Sequence, residues 1–194
     1  MQQDPDHDLV REAKNGDSAA FEKLVNRYYQ MVYTVAYGVL NHSESARDAV
    51  QEIFFKVFRE LRKFEGKSKF KTWLYRISVN AAIDEARKKR PVQSLDGHED
   101  PDDDRPVMVP ADPSAGPRDR AYQSELRGLL NLALEELTPE HRAVLVLREF
   151  QDLSYEEIAE TLQIEAGTVM SRLFYARKKM AEILSFKMGA VKTK

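Results

Sequence analysis

Along most of the chain apolar residues recur every three or four positions, and almost nowhere every second one, which predicts helices throughout. Phe21, Val25, Tyr28, Val32, Val35 and Val39 form one such series. Gly16 reads as the stop of a preceding helix and Asp17 as the N-cap of this one. Asn41-His42-Ser43 interrupts the pattern, and a second helix is expected from about Ser45 to Lys63. FEGKSK, residues 64–69, reads as a loop, and FKTWLYRISVNAAIDEARKKR, residues 70–90, as a third helix. Further helices are expected over 122–137, 139–149, 155–162 and 166–185. Thr138-Pro139 is a cap followed by proline at the first helical position, and Ser154 with Glu157 is a capping box. No alternating pattern or internal repeat stands out, so the expected fold class is all-α.

Between the two helical stretches, residues 91–121 hold six of the eight prolines and the run HEDPDDD. Proline, acid and little apolar content read as a flexible linker. Two small helical domains are therefore expected, 1–90 and 122–194, joined by the acidic segment 91–121. With 42% hydrophobic and 32% charged residues the chain has enough apolar content for a core in each. The absence of cysteine excludes disulfides and thiolate metal sites and suits a reducing cytoplasm. The acidic start MQQDPDHDLV is not expected to be a signal peptide, and no uncharged apolar run reaches membrane-spanning length.

A net charge of −2 conceals a pattern. Residues 62–90 carry 10 basic and 3 acidic side chains, and residues 172–194 carry 7 and 1, whereas 91–121 carry 3 basic and 8 acidic. Two basic patches in a near-neutral chain point to two contacts with a polyanion; solvated cationic helix ends give the same local pattern.

Two helices show a face that a core does not explain. On the second, Ala46, Val50, Ile53, Val57 and Leu61 form the core stripe, while Asp48, Gln51, Glu52, Phe55 and Arg59 lie opposite. Phe55 is either a lone exposed apolar residue or the anchor of a protein-docking surface. The third helix has Trp73, Leu74, Ile77 and Ala81 on one side and Tyr75, Val79 and Ile83 on another, then a basic end. It is either a buried central helix or one shared between core and single-stranded nucleic acid. In the latter case aromatics stack bases, Asn80 reads a base edge and the basic end tracks phosphates.

LSYEEIAETLQIEAGTVMSRLFYARKKM, residues 153–180, matches a helix-turn-helix within a four-helix second domain. Ile158, Ala159 and Leu162 face Val169, Leu173, Ala176 and Met180 across a turn at Gln163–Glu165. The outer side of the second helix carries Gly167, Ser171, Phe174, Tyr175 and Lys178, flanked by Arg172 and Arg177, a face suited to a major groove.

Four motifs in this order, GDSAAFEKLVNRY, DAVQEIFFKVF, FKTWLYRISVN and LSYEEIA with GTVMSRLFYAR, resemble the bacterial extracytoplasmic-function (ECF) RNA polymerase sigma factors, over nearly the whole chain. The resemblance implies a non-enzymatic initiation factor of the cytoplasm, with no cofactor, metal or catalytic residue. It implies that Asp48, Gln51, Glu52, Phe55 and Arg59 dock the clamp coiled coil of the polymerase β′ subunit. The helix 70–90 and the loop before it would melt and hold the promoter −10 element through Phe64, Lys67, Lys69, Trp73, Tyr75, Arg76, Asn80, Arg87 and Lys88. Phe64 and Asn80 would help form a pocket for a flipped base. The second domain would read the −35 duplex through Arg148, Gly167, Thr168, Met170, Ser171, Arg172, Phe174, Tyr175, Arg177 and Lys178, and would meet the β flap. The linker would thread toward the polymerase active-site and RNA-exit channels. An anti-sigma factor, often membrane-bound, is the implied regulator, without membrane insertion of this chain.

The alternative is a free-standing helix-turn-helix regulator acting on duplex DNA, with residues 1–90 as a ligand or dimerisation domain. An enzyme finds no support: His7, His42, His98 and His141 are scattered, and no phosphate-cradling glycine loop is present. Three positions depart from the family pattern. Arg47 stands where an acid often precedes Asp48, Met170 where Arg or Lys is frequent, and Tyr175 where a basic residue is common. Loss of an arginine that bonds guanine relaxes discrimination by about 1–3 kcal/mol at that base. A less guanine-dependent −35 contact is therefore expected. Met170→Arg should sharpen guanine preference in a binding assay over −35 variants, and an unchanged preference would count against that role.

Overall fold

The structure, a computed structural model, describes residues 4–89 and 126–191, apart from residue 127. The acidic segment 91–121 and residues 122–125 of the next expected helix lie outside the described residues. The order is α1 (His7–Lys14), α2 (Ser18–Leu40), α3 (Ser43–Glu60), a 3-10 turn at Leu61–Lys63, α4 (Phe70–Lys89), α5 (128–135), α6 (Pro139–Glu149), α7 (Tyr155–Leu162) and α8 (Ala166–Val191). No strand occurs among the described residues.

The helix ends follow the local chemistry. Asp17 Oδ1 accepts from the amides of Ala19 and Ala20 at 2.8 and 3.1 Å, opening α2. Thr138 Oγ1 caps α6 from the amide of His141 at 3.4 Å, with Pro139 at the first position. Ser154 and Glu157 form the reciprocal box at the start of α7, at 2.8 and 3.2 Å. Each cap satisfies an orphan backbone donor and contributes about 1 kcal/mol. Where α2 and α7 stop, Asn41 and Gln163 adopt left-handed conformations with φ of 54° and 55°.

The first core joins α1, α2, α3 and one side of α4. Leu24, Val32 and Ala36 of α2 meet Ala46, Val50, Ile53 and Val57 of α3, and Leu74 and Ile77 of α4, all buried. A buried carboxylate holds α1 in place: Asp6 accepts from the Arg27 guanidinium and the Tyr28 hydroxyl of α2. Burial, then the Asp6 bond, pushes the Tyr28 phenol well above its ordinary range, so it stays a donor.

The second core is shared between the two halves of the chain. Val35 and Val39 of α2 and Tyr75, Val79 and Ala82 of α4 pack with Leu134, Val144, Val146 and Leu147, and continue into Ile158, Val169, Leu173 and Ala176. The two helical units expected from the sequence are thus packed together in this structure. The face of α4 carrying Tyr75, Val79 and Ile83 is covered by the second unit, chiefly α6 and α7. Gly38 marks the closest approach: a Cβ there would fall inside the van der Waals shell of Val146 Cγ2.

Polar bonds rim this seam. Asn41 Nδ2 reaches the Asn131 carbonyl at 3.1 Å, Tyr75 OH donates to Gln151 Oε1 at 2.9 Å, and Arg87 Nη2 pairs with Glu140 Oε1 at 2.7 Å. A partly exposed ion pair is worth about 0.2–1 kcal/mol. Each fully buried aliphatic side chain contributes about 1.5–3 kcal/mol. Apolar burial therefore dominates, and the ion pair fixes register. Gly38→Leu should separate the units, because Val146 is β-branched and fully buried and cannot turn aside; overpacking of this kind costs about 1–3 kcal/mol. Small-angle scattering should show a larger radius with helix content retained. An unchanged radius and melting temperature would mean that the seam does not form in solution.

Candidate polymerase and nucleic-acid interfaces

The α3 face keeps its predicted separation. Ala46, Val50, Ile53 and Val57 are buried, while Asp48, Gln51, Glu52, Phe55 and Arg59 are all exposed. Phe55 is 64% exposed, and Phe58, one turn on, is 58% exposed. Phe58 adds a second aromatic to this face, braced edge-on by Phe21 at 5.0 Å between centroids. It escaped sequence reading because it lies at the margin of the wheel face that Phe55 centres. The signal was nonetheless present: residues three apart share a helix face.

The loop 64–69 and the start of α4 form an aromatic-cationic corner. Phe64 packs against Trp73 at 5.0 Å and Phe70 at 6.1 Å, and its side chain is largely buried in that cluster. Lys67 and Lys69 are exposed, and Gly66 turns the loop with φ of 73°. A groove of about 1030 Å³ runs between this loop and α1. Phe64, Lys67 and Lys69 line it together with Asp4, Arg11 and Lys14. Asn80 is exposed two turns further along α4 and is not among the groove's lining residues. Phe64 and Asn80 are thus not brought into one pocket in this structure. Trp73 is half-buried beside Phe64.

The remaining α4 candidates are engaged by the second unit. Tyr75 is 3% exposed with its hydroxyl on Gln151, so in this arrangement it cannot stack a base. Burial, then the nearby Glu157 charge, raises its phenol well above the ordinary range. Arg76 Nη2 donates to the Glu160 carbonyl at 3.1 Å, while its buried Nε finds no partner among the described residues. Arg87 pairs with Glu140, and Lys88 lies 3.5 Å from Glu85.

On α8 the expected groove-facing residues are largely open. Gly167, Met170, Ser171, Phe174, Tyr175 and Lys178 are exposed, and Thr168 and Arg172 are half-buried. The Phe174 and Tyr175 rings meet edge-on at 5.7 Å. Two cations are held back from a free position. Arg148 Nη1 donates to the Leu153 carbonyl at 2.9 Å and lies 5.4 Å over the Tyr155 ring. Arg177 bonds Glu149 through two nitrogens, at 3.1 and 2.5 Å. The Glu149 bonds offset burial and keep Arg177 more firmly protonated than usual. Behind this surface a groove of about 440 Å³ is lined by Leu130, Leu134, Leu145, Phe150, Met180 and Leu184. No helix among the described residues is long and apolar enough to cross a membrane.

Comparison with known proteins identifies the family. Residues 24–92 match the Sigma-70 region 2 family and residues 127–180 match Sigma-70 region 4. The RNA polymerase sigma-H factor of Pseudomonas aeruginosa is 34% identical over 186 residues, covering 95% of this chain and 96% of that protein. The ECF RNA polymerase sigma-E factor of Escherichia coli is 37% identical over 176 residues, covering 89% and 91%. SigW of Bacillus subtilis, also an ECF sigma factor, is 32% identical over 177 residues, covering 90% and 94%. Among solved structures, RpoE of Bartonella quintana in complex with the anti-sigma factor NepR aligns with a TM-score of 0.61 at 25% identity, covering 85% of this chain and 96% of that one. CnrH in complex with the cytosolic domain of CnrY shares the fold, with a TM-score of 0.64 at 23% identity over 93% and 97%. The chain belongs to the ECF family of RNA polymerase sigma factors. Its function is therefore that of a sigma factor in transcription initiation, and the free-standing regulator is not favoured.

The Arg87–Glu140 pair gives the seam a pH signature. Burial would raise the Glu140 carboxyl, but the hydrogen bonds from Arg87, with its own backbone and Thr138, overcome it and hold the carboxyl at about 2. A depressed carboxyl stabilises the packed form above its ordinary pKa, about 4.5, and that contribution is lost as pH falls toward 2. Glu140→Gln should remove this pH dependence from a chemical-denaturation series over that window and lower stability at pH 7 by the amount the parent loses on acidification, about 0.2–1 kcal/mol for a partly exposed pair. An identical pH profile in the variant would show that the pair does not form.

Proposed function

We propose that this sigma factor divides its work among three surfaces. The α3 face of Asp48, Gln51, Glu52, Phe55, Phe58 and Arg59 docks the β′ clamp coiled coil. The loop 64–69 and α4 capture the −10 element as single strand, with Lys67, Lys69, Trp73, Arg76, Arg87 and Lys88 toward the strand. The exposed side of α8, with Arg148 and Arg172 beside it, reads the −35 duplex. The division of the chain is the one these surfaces require: 1–90 for docking and melting, 122–194 for duplex reading. The β flap meets the second unit, where the apolar groove between α5, α6 and α8 offers a seat.

The observation that carries this reading is the α3 face. A helix with a fully buried stripe presents two open phenylalanines among acids on its opposite side, and a monomeric core has no use for them. The packed seam adds a condition. Tyr75, Arg76 and Arg87 are engaged by the second unit, so initiation-competent binding requires the units to part. Arg76, with its buried Nε lacking a partner among the described residues, gains a hydrogen-bond acceptor if a phosphate reaches it.

An anti-sigma factor as regulator is supported by the aligned RpoE structure, in which that sigma factor is bound by the anti-sigma factor NepR. Catalysis is assigned to the polymerase and none to this chain, which acts in the bacterial cytoplasm. Retention at the membrane would come through a partner.

The experiment is transcription in vitro with core polymerase and a pool of genomic fragments. Protein-dependent starts that share two upstream elements support the reading. No starts and no co-elution with core would sink it. Phe55→Ala with Phe58→Ala should weaken core binding by about 2 kcal/mol or more, the scale of an interface hot spot. Binding of the isolated −35 duplex should be unaffected. Undiminished co-elution of the double variant would remove α3 as the docking face.

A further inference from the structure

The loop that would hold the melted strand is short, exposed and turned at a glycine, yet a base pocket must keep its shape. Its two ends are fixed from outside by one segment. At its start, Lys14 Nζ donates to the Phe64 carbonyl at 2.6 Å, across 50 positions of sequence. At its end, Asp4 Oδ2 accepts from the Phe70 amide at 2.7 Å, capping the first turn of α4 from 66 positions away. Both bonds are charge-assisted, the stronger kind. Asp4 is itself held: its Oδ1 accepts from the Asp6 amide at 3.1 Å and its carbonyl from the His7 amide at 3.0 Å. Asp6 in turn is buried against Arg27 and Tyr28 of α2. A continuous chain of hydrogen bonds thus runs from the rigid core, through the residues before and within α1, to both ends of the loop.

We infer that Asp4 and Lys14 are positioning residues for base selection at the −10 element: they clamp the loop 64–69 at its two ends and so set the geometry of strand capture. The inference rests on the assignment of that loop to −10 capture made above. The groove between the loop and α1 is wide enough for a nucleotide. Arg11, Lys14, Lys67 and Lys69 outnumber Asp4 and Glu65 along it, which suits a phosphate backbone. With the Phe64 carbonyl and the Phe70 amide both fixed, the backbone between them has few ways to open, and Gly66 supplies the one left-handed turn it needs. Removing either clamp leaves the aromatic cluster of Phe64, Phe70 and Trp73 in place but frees one end of the loop.

The test uses full-length protein assembled with core polymerase on four promoters that differ only in the non-template base captured at −10. Lys14→Met and Asp4→Ala should each compress the ratio of open-complex formation between best and worst base by about tenfold, the scale of one charge-assisted hydrogen bond. Core affinity and −35 duplex binding should match the parent, and Lys14→Arg should restore the ratio. A uniform loss at all four bases, or an unchanged ratio in both variants, overturns the inference. Lys67→Ala with Lys69→Ala serves as the control for the assignment beneath it. If that variant leaves open-complex formation and base preference untouched, the loop is not the capture element, and the −10 assignment falls together with the clamp. Circular dichroism identifies a variant that has lost its fold, and the second clamp residue then decides.

Discussion

Two helices with apolar residues on two faces hold this molecule together. α2 and α4 each give one stripe to the first core, and each gives a second stripe, Val35 and Val39 or Tyr75, Val79 and Ala82, to α5, α6 and the helix-turn-helix. Their close approach to α6 depends on Gly38, since any larger side chain would occupy the volume of Val146. Everything the surfaces do is conditioned by this seam. The α3 face and the outer side of α8 stay open, while Tyr75, Arg76 and Arg87 are used internally. The two proposed contacts are thereby separated: the α3 face is open without rearrangement, whereas Tyr75, Arg76 and Arg87 become available only when the units part.

The seam also explains its own balance of forces. Buried aliphatic contacts give it most of its free energy, and these have no preferred direction. The rim bonds, Asn41 to Asn131, Tyr75 to Gln151 and Arg87 to Glu140, supply direction at small net gain. Such an interface can part when a competing surface covers the same apolar stripes, and it returns to one register when that surface leaves.

What the sequence made legible was local. Asp17, Thr138 and the Ser154–Glu157 pair announce helix starts because the capping chemistry lies within four residues. The helix-turn-helix is equally readable, since Ile158, Val169, Leu173 and Ala176 pack at short separation and all are buried. The apolar second face of α4 was visible, but its partner was not: Leu134, Val144 and Leu147 lie far down the chain, and periodicity reports that a face is covered without saying by what. Expecting nucleic acid on that face was reasonable from composition alone, and the protein itself occupies much of it. Phe64 and Asn80 were paired by resemblance, whereas Phe64 packs on Trp73 and Asn80 stands two turns beyond Trp73 along α4. Asp4 and Lys14 gave no signal at all, because an isolated carboxylate or ammonium near a chain start looks the same whether it is solvated or bonded.

α8 is the longest helix described, running from Ala166 to Val191, and it serves two neighbourhoods at once. Its first turns lie against α7 and present Met170, Phe174 and Tyr175 outward; its later turns form one wall of the apolar groove through Met180 and Leu184. At 1.5 Å per residue it is a rod of roughly 39 Å, and a tilt of about ten degrees at one end sweeps the other through roughly 7 Å. The helix is therefore a lever. Whatever seats itself in the groove grips the helix only a turn or two beyond the residues proposed to face the duplex, so occupancy of one neighbourhood is felt as orientation in the other.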